Sequence, residues 1–525
     1  MIAKRDNMLV IDLGTSKVRC AVVSVDGMIV EYALVPQEHF LPRTGWFEQS
    51  PDAWWKKTTE AVRRVLASPE VDSARLAGLC VCGHMHSPVP LDREGELVLE
   101  RVQLWSDKRC ADMASAFGGD LSVAEAQGRT GNPPTPGWLG FKLAWMRENQ
   151  PRAYSRTAVI LTAKDFINYR LTGALTTDYS EASGSFLLNQ ATLTYDPAMA
   201  GALGLDISLL PPIRESSDVI GEVSASASSE TGLPRGLPVV AGGGDFPVAM
   251  LGAGALRPKT GADITGTSTV LSSFGAAPVL DARVCNLRTP IAGWASFTTL
   301  EAGGASLHWL WKLLDDQQRS LDEINDLAEQ IPPGSDQLLF LPYLHGERMG
   351  RQANSRAQFF GASNRHGKGH FYRAAIEGTA FAARQNLELM RQAGIEFDYI
   401  IASGGGARSR LWLNIKANIY GIPIVVPQNL ETGIVGGAVL AGIGTGVYRD
   451  IDRAINRLVH SGPPVLPDPA LSEYYHHLYE VFVRLYRIGG PLCAELDALA
   501  NLGQEKSFQE SPSAGTGGIN QRSSE

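Results

Sequence analysis

One carboxylate that directly follows three glycines is well placed for chemistry. Asp245 lies in the stretch V-V-A-G-G-G-D-F-P-V-A-M-L, residues 239–251. The apolar residues before it predict a buried strand, the glycines permit a sharp turn, and Pro247 suits the first turn of a helix. Open α/β sheets bind ligands at such strand ends, so Asp245 is a candidate for contact with a substrate. The alternative is that Asp245 only caps the helix, because aspartate is a favoured N-cap.

A second carboxylate precedes a turn that could bind phosphate. Residues 8–24 predict two strands joined at Gly14, Thr15 and Ser16. The backbone N–H groups and hydroxyls of such a turn can bind an anion, and Asp12 at its base could hold a hydrated Mg²⁺. The alternative is an ordinary polar hairpin.

The same pattern returns in the second half of the chain. Residues 261–274 repeat an aspartate, Asp263, and a G-T-S turn that includes Gly266 and Thr267, again followed by a Val-containing apolar run. Repetition of one pattern in two halves is the mark of internal duplication. We therefore expect two related domains, each presenting a phosphate-facing hairpin to a shared cleft.

Two segments between these turns carry side chains that could contact a small polar molecule. The sequence G-H-M-H-S places His84 and His86 two residues apart after a predicted strand, with no third metal ligand nearby, so a substrate-lining loop is favoured over a metal site. Further on, Trp105 lies beside Asp107 and Arg109. An aromatic plate beside charged groups suits a sugar. The alternative is a helix start that is capped by Ser106 or Asp107.

A further glycine-rich turn, Gly404–Gly406, lies between a predicted strand at residues 399–403 and a predicted helix. Free N–H groups and the helix dipole at such a turn favour an anion or a nucleotide. The spacing is not G-x-G-x-x-G, and no acidic residue follows about 20 positions on, which disfavours a dinucleotide fold. The sequence also lacks the G-x-x-x-x-G-K-[ST] pattern of a P-loop.

Composition indicates a multidomain protein of the ordinary globular class. The 525 residues exceed what one hydrophobic core supports, and the net charge of −8 without a basic stripe argues against nucleic acid or an anionic membrane as partner. We find neither a signal peptide nor a run of apolar residues long enough to span a bilayer. The six scattered cysteines indicate buried, reduced thiols in a cytoplasmic protein. From Leu502 the polar, small-residue composition predicts a disordered tail.

Taken together, these motifs give the chain a resemblance to the FGGY carbohydrate kinases of the actin-like ATPase superfamily, and within them to the xylulokinases. The resemblance covers nearly all of residues 8–490. Besides the two hairpins, G-G-G-D and G-G-G-A-R-S, it includes seven segments in the family's order: W-F-E-Q-S-P-D-A-W-W (46–55), G-H-M-H (83–86), L-W-S-D-K-R (104–109), T-G-N-P-x-x-P-G-W (130–138), K-D-F-I-N-Y-R-L-T-G (164–173), T-D-Y-S-E-A-S-G (177–184) and L-P-Y-L-H-G-E-R (341–348).

The resemblance implies an α/β fold of two actin-like (ribonuclease H-like) domains. Each would contain a mixed five-stranded sheet flanked by helices, with the active-site cleft between the domains. The expected domains are residues 1–253, which would bind the sugar and carry the first phosphate hairpin, and 254–495, which would carry the second hairpin and bind adenosine. A disordered tail would follow at 496–525. A homodimer is what the family implies.

The resemblance also implies a role for each candidate residue. Asp245 would take the proton from the attacking sugar hydroxyl, and Asp12 would lie near Mg²⁺, which accompanies ATP. The other implied residues bind substrates: for ATP and its phosphates, Gly14, Thr15, Ser16, Lys17, Gly266, Thr267, Gly405, Gly406 and Asn414; for the sugar, Met85, His86, Trp105, Asp107, Asp245 and Phe246.

Three residues depart from the family pattern near the sugar. Phe246 stands where xylulokinase relatives carry Asn or Gln, His84 where Gln is usual, and Ser87 where Gly is usual. The expected reaction is transfer of the ATP γ-phosphoryl group to a ketose, with a pentulose such as D-xylulose as the first choice. Phe246 leaves open a polyol such as erythritol, or another ketose, as the acceptor. A sugar sensor that binds ATP without turnover is the non-enzyme alternative.

Overall fold

The computed structural model describes residues 5–119, 121–315, 318–344, 346 and 355–509. Its centre is formed by two mixed β-sheets, one in each half of the chain. In spatial order, the first sheet contains Val219–Glu222, Pro238–Gly244, Leu76–Gly83, Asn7–Leu13, Lys17–Val23 and Ile29–Pro36. The second contains Cys285–Arg288, Trp294–Leu300, Thr269–Gly275, Thr260–Thr265, Tyr399–Ser403 and Ile424–Val425.

Each sheet has six strands, where we expected five. Three antiparallel strands followed by two parallel ones form the same five-strand pattern in both halves, built around the hairpins at residues 7–23 and 260–275. The extra strands are Val219–Glu222 and Cys285–Arg288, which pair antiparallel at an edge of their sheets. Both are only four residues long, so neither has the sustained alternation that reveals a strand.

Helices cover the sheets on both sides. In the first half they are Pro51–Leu66, Ala111–Ser115, Val123–Thr130, Leu139–Asn149, Pro151–Arg156, Ala163–Thr172, Tyr179–Ser183, Pro197–Ala202, Ala225–Thr231 and Asp245–Ala253. In the second half they are Gly304–Asp315, Leu321–Glu329, Lys368–Gln392, Arg410–Tyr420, Thr432–Gly444, Ile451–Leu458 and Pro469–Gln509. Among the described residues, no helix combines the length and the apolar character needed to cross a bilayer.

Short elements complete the chain. Two-stranded sheets pair Glu48–Gln49 with Val102–Gln103, Val89–Leu91 with Val159–Leu161, Thr177–Asp178 with Ile213–Arg214, and Leu339–Leu341 with Gln358–Phe360. Single 3₁₀ turns occur at Ser73–Arg75, Ile207–Leu209, Ser335–Gln337 and Gly405–Arg408.

Two helices pack against each other with almost no side chain between them. These are Asp245–Ala253, which follows the first sheet, and Thr432–Gly444 from the second half. A Cβ on Gly252 would lie 1.9 Å from the Thr432 carbonyl oxygen, and one on Gly436 would lie 2.1 Å from that of Val248. Only glycine permits this approach. The helix Thr432–Gly444 thus packs tightly on the helix that Asp245 begins.

The C-terminal region corrects one expectation. The last helix, Pro469–Gln509, continues through residues 496–509, where we expected a disordered tail. Residues 510–525 lie outside the described residues. The division of the chain after residue 253 stays a prediction. All six cysteine side chains are buried and none is in a disulfide, as the sequence indicated.

Candidate active site

A cavity of about 500 Å³ lies between the two halves of the chain and is lined by both. It contains both carboxylates that the sequence singled out. Several other residues predicted to bind substrates also line it. The remaining predicted residues do not, and Asn414 among them lines a different cavity. The residues lining the cavity from the first half are Asp12, Gly14, Thr15, Arg19, Met85, His86, Trp105, Thr135, Gly137, Trp138, Asp245, Phe246 and Ala249; those from the second half are Ile264, Ser268, Val270, Cys285, Leu287, Phe297, Thr299, Ser403, Gly404, Leu430, Glu431, Thr432 and Gly433.

Asp245 lies at the irregular end of the strand Pro238–Gly244. The pairing of this strand with Leu76–Gly83 shifts register between Val240 and Gly243, and Gly242 has a φ of +69° that favours glycine. The N-cap of the following helix is Gly244, so Asp245 is its first residue rather than its cap. Burial, and then the negative charge of Asp12, raise the pKa of Asp245 to about 7. Asp245 is therefore a carboxylate that can exchange a proton near neutral pH.

Asp12 lies in a group of three charged side chains. The Arg19 guanidinium donates to its Oδ2 at 2.7 Å and also lies 3.3 Å from Glu431, which precedes the helix Thr432–Gly444. Burial raises the pKa of Asp12, although Arg19 opposes this effect. Arg19 and Glu431 had no role in the sequence analysis. Asp12 and Arg19 are directly opposite each other in the hairpin. Their spacing in the sequence could therefore have identified Arg19 as a partner of Asp12.

The turn of the first hairpin faces the cavity, and side chains outside the cavity bond to the backbone of this turn. Gln37 donates to the Gly14 carbonyl at 2.6 Å and Gln49 to the Thr15 carbonyl at 2.7 Å. Trp105, which is 39 % exposed, donates from Nε1 to the Thr15 hydroxyl at 3.1 Å. Because its carbonyls are bonded to side chains behind it, this turn is fixed in place. Ser16 and Lys17 belong to the same turn region but do not line the cavity.

The second hairpin faces the same cavity through Ser268. Gly266 and Thr267 are in this turn but not among the lining residues, and their carbonyls accept bonds from Gly304 and Ala305 at 2.7 and 3.1 Å. Asp263, which repeats Asp12 in the sequence, is buried and bonded to Lys416 at 2.7 Å. The duplication therefore supplies two turns to the cavity, but of the two hairpin carboxylates only Asp12 lines it.

The glycine-rich turn of the second half lies beside this hairpin. Ser403 and Gly404 line the cavity, and Gly404 has a φ of +79°, while Gly405 and Gly406 follow in the 3₁₀ turn. Asn414 does not reach this cavity. It lies one turn into the helix Arg410–Tyr420 and lines a separate cavity of about 380 Å³ near Glu329–Pro333.

The predicted sugar-side residues divide into two groups. Met85, His86, Trp105 and Phe246 line the cavity, and the rings of His86 and Trp138 meet edge to face at 5.2 Å. Asp107 does not line it. Its carboxylate is buried and accepts bonds from the Phe47 N–H and the Arg109 side chain at 2.7 Å, so its observed contacts are structural.

His84 lies behind the cavity rather than in it. Its ring packs edge to face on Trp54 at 4.9 Å, and the Ser87 hydroxyl lies 3.3 Å from its Nδ1. Burial lowers the pKa of His84 to about 3, so the ring is neutral. Within the described ranges, no three His, Cys, Asp or Glu side chains form a set that could hold a metal by themselves.

The apolar part of the cavity includes residues that sequence reasoning missed. Phe297 from the second sheet lies 5.1 Å from the Phe246 ring, and Leu287 and Cys285 line the cavity near it. No local signal marks these positions, because they are alternate residues of ordinary strands. The loop at Thr135–Trp138 belongs to a segment that carries the family resemblance, and its place in the cavity depends on the tertiary structure.

Comparison with known proteins agrees with this architecture. Residues 7–252 match the model of the FGGY family of carbohydrate kinases, N-terminal domain, and residues 261–445 match that of the C-terminal domain. The chain is 29 % identical to a xylulose kinase of Staphylococcus epidermidis, over 95 % of this chain and 100 % of the relative. It is 28 % identical to an L-xylulose/3-keto-L-gulonate kinase of Escherichia coli, over 90 % and 95 %.

A solved structure is similar over the same length. The crystal structure of xylulose kinase from Rhodospirillum rubrum superposes with a TM-score of 0.85 and 29 % identity, covering 93 % of this chain and 100 % of that one. Together with the family models, which cover most of the sequence, this similarity identifies the fold. The chain belongs to the FGGY family of carbohydrate kinases.

Proposed function

We propose that this protein transfers the γ-phosphoryl group of ATP to a hydroxyl of a ketose, with xylulose as the first substrate to test. The observation that carries the proposal is the convergence of Asp245, Asp12 and the turns of both hairpins on one cavity. Phosphoryl transfer needs its reactants to be positioned and charge to be stabilised, which residues from two halves of a chain can do around one cleft. The kinase names of the two relatives support the choice of substrate.

Asp245 is the proposed general base. Its carboxylate faces the cavity and its pKa is about 7, so it can accept the proton of a sugar hydroxyl near neutral pH. The oxygen so activated would form a bond to the γ-phosphorus, and the bond from phosphorus to the β,γ-bridging oxygen would break to release ADP. Phe246 and Met85 border the same region and would exclude water from the reacting groups.

Asp12 is the proposed ligand for Mg²⁺. A single carboxylate together with substrate phosphates and water is a usual environment for this ion. The site fits it, because Asp12 lines the cavity and the group that it forms with Arg19 and Glu431 holds two carboxylates to one guanidinium. Bound there, the ion would offset charge on the transferring phosphoryl group. Arg19 now pairs with Asp12, and it would be available to phosphate oxygens once Asp12 binds the cation.

The turns would hold the nucleotide. Thr15 presents a hydroxyl that is fixed by Trp105, and Ser268 presents the second hairpin from the opposite half. Gly404 begins a turn in which a Cβ on the next residue, Gly405, would meet nothing within 4 Å, so a phosphate or ribose can approach the backbone there. We propose that Gly405 and Gly406 continue this nucleotide site. No such role is proposed for Asn414, which lines another cavity.

Phe246 favours a second class of acceptor. It offers the cavity an aromatic face next to Phe297, where an amide would offer a donor and an acceptor. A hydroxyl buried against these rings would lose its hydrogen bonds to water without replacement. This arrangement favours a shorter acceptor, such as a four-carbon polyol, that places no polar group against the rings, over a five-carbon ketose.

A coupled assay of ADP release tests the proposal. Purified protein with ATP and Mg²⁺ is offered D-xylulose, L-xylulose, other pentuloses, hexuloses and alditols, including erythritol. We expect release of ADP that depends on one of these acceptors. In Asp245→Ala we expect kcat to fall about 10²- to 10⁴-fold while ATP binding, measured by calorimetry, is retained. Binding of ATP and sugar by the wild type without any turnover would contradict the proposal and support the sugar sensor.

A further inference from the structure

At the strand end before Asp245, two backbone groups are hydrogen-bonded to buried side chains. The register shift between Val240 and Gly243 interrupts the ladder with Leu76–Gly83 at this point. Such irregularities re-aim the chain next to active sites, and buried backbone groups that they release must find other partners. The groups concerned are the carbonyl of Ala241 and the N–H of Gly244, the residue that directly precedes Asp245.

A buried serine accepts the Gly244 N–H. Its Oγ, in Ser180, lies 2.8 Å from the Gly244 nitrogen and donates its own proton to Oδ2 of Asp178 at 2.6 Å. Asp178 Oδ2 also accepts from the Ser180 N–H at 2.9 Å and from the Ser216 hydroxyl at 3.0 Å. Because the Ser180 hydroxyl donates its hydrogen bond to Asp178, its lone pairs are left to accept the bond from the Gly244 N–H. None of these side chains is exposed to solvent.

A buried lysine and an amide hold the Ala241 carbonyl. Lys164 Nζ donates to it at 3.2 Å and Asn168 Nδ2 at 2.9 Å. The same ammonium lies 3.1 Å from Asp178 Oδ1 and contacts Asp165. Burial disfavours the charge, but Asp165 and Asp178 raise the pKa of Lys164, which therefore stays protonated. The ammonium thus links both backbone groups into one fully buried network.

We propose that Asp178 and Ser180 are positioning residues for Asp245. Neither lines the cavity, and both act through the Gly244 N–H, which sets the direction in which the next residue leaves the strand. A Cβ on Gly243 would lie 3.1 Å from Ser180 Oγ, so the turn and the serine fit each other closely. The bond determines where the Asp245 carboxylate stands, and its loss should slow the chemical step rather than substrate binding.

Charged side chains near Asp245 act on its pKa. Asp12 raises its pKa and Arg19 lowers it, both from the first hairpin. Glu181, next to Ser180, is buried, and burial raises its pKa well above the ordinary value. If the Gly244 bond is lost, Asp245 can move towards water, and its pKa should fall towards that of a solvated carboxyl.

The test compares single and double variants in the acceptor-dependent ADP assay. In Ser180→Ala we expect kcat to fall at least tenfold, the KM values for ATP and acceptor to change less than threefold, and the acid limb of the kcat profile to move to lower pH. Asp178→Asn should lower kcat in the same way. The double variant should lose less activity than the product of the two single losses, because both changes share the Gly244 bond although Asp178 also contacts Lys164.

Two further variants serve as a control and as a substitute if Ser180→Ala does not fold. Ser185→Ala is the matched control, since Ser185 is a buried serine of the same segment that bonds Ala182 and Leu187 but not the strand. It should keep kcat within twofold and leave the pH profile unchanged. If Ser180→Ala does not fold, Ser180→Cys retains the volume with a poorer acceptor and should show an intermediate kcat.

The inference would be overturned if Ser180→Ala, or Ser180→Cys in its place, matched Ser185→Ala in kcat and in pH profile. An additive double variant would also contradict it. The inference rests on the proposed function for its readout, but the two failures differ. An inactive wild type would refute the kinase proposal, whereas an active, unshifted Ser180 variant would refute only the positioning role.

Discussion

Replacing Asp245 by asparagine should stabilise the folded protein at alkaline pH although it removes the proposed base. Burial and the charge of Asp12 raise the pKa of this carboxyl from 3.8 to about 7. Between these pH values the unfolded chain has lost a proton that the folded protein keeps. The free energy of unfolding therefore decreases as the pH rises through this window and stays level above it. At about 1.4 kcal/mol per pKa unit the upper bound is about 4 kcal/mol.

We expect about half of this bound, about 2 kcal/mol, because Asp12 and Asp245 titrate as a pair. For a domain of this size that is a rise in Tm of about 4–8 °C at pH 8. The rise should be clearly smaller at pH 4.5, where the wild-type carboxyl is neutral in the folded protein and ionises on unfolding, and it should approach zero only below the unfolded pKa of 3.8. The measurement is thermal unfolding of the apoprotein at both pH values. Asp322→Asn, at an exposed position of the helix Leu321–Glu329, is the control and should show no such pH dependence. Equal shifts at both pH values, or a lower Tm at pH 8, would refute the reasoning.

Three other changes test separate parts of the structure. Phe246→Asn restores a polar partner in the cavity and should raise the kcat/KM ratio of xylulose over erythritol about tenfold in the ADP assay; an unchanged ratio would show that the ring does not select the acceptor. Trp105→Phe keeps the ring but removes the bond to the Thr15 hydroxyl, so the KM for ATP should rise about fivefold in initial-rate kinetics, and an unaltered KM would contradict the role of this turn. Gly436→Ala places a Cβ 2.1 Å from the Val248 carbonyl and should lower the free energy of unfolding by about 1–3 kcal/mol, whereas Gly201→Ala, which meets nothing within 4 Å, should not.

The local signals in the sequence were sufficient for the central strands and turns. Apolar runs ending in glycines predicted the strand before Asp245 and the hairpin of Asp12, and both structures are present. The four-residue edge strands were missed because their side chains show no sustained alternation. The helix at the C-terminus was missed because its polar composition resembles that of a disordered tail, although the structure continues the helix to Gln509.

The composition of the cavity was only partly predictable. Asp107 has a residue type suited to sugar binding, but its carboxylate is occupied by Phe47 and Arg109. Asn414 lies on the expected helix, yet the direction of that helix turns it towards another cavity. Phe297 and Leu287 reach the site only because the second sheet faces the first, which no pattern along the chain records. Residue type indicates possible chemistry, whereas tertiary packing decides which groups meet.

The glycine contact between the helices Asp245–Ala253 and Thr432–Gly444 has a mechanical consequence. Peptide groups touch there directly, so the two helices are in contact backbone to backbone and a movement of one is transmitted to the other. Asp245 is the first residue of one helix and Glu431 directly precedes the other. A small axial slip along the seam would therefore alter the separation of these two carboxylates directly, with no flexible linker to absorb the movement.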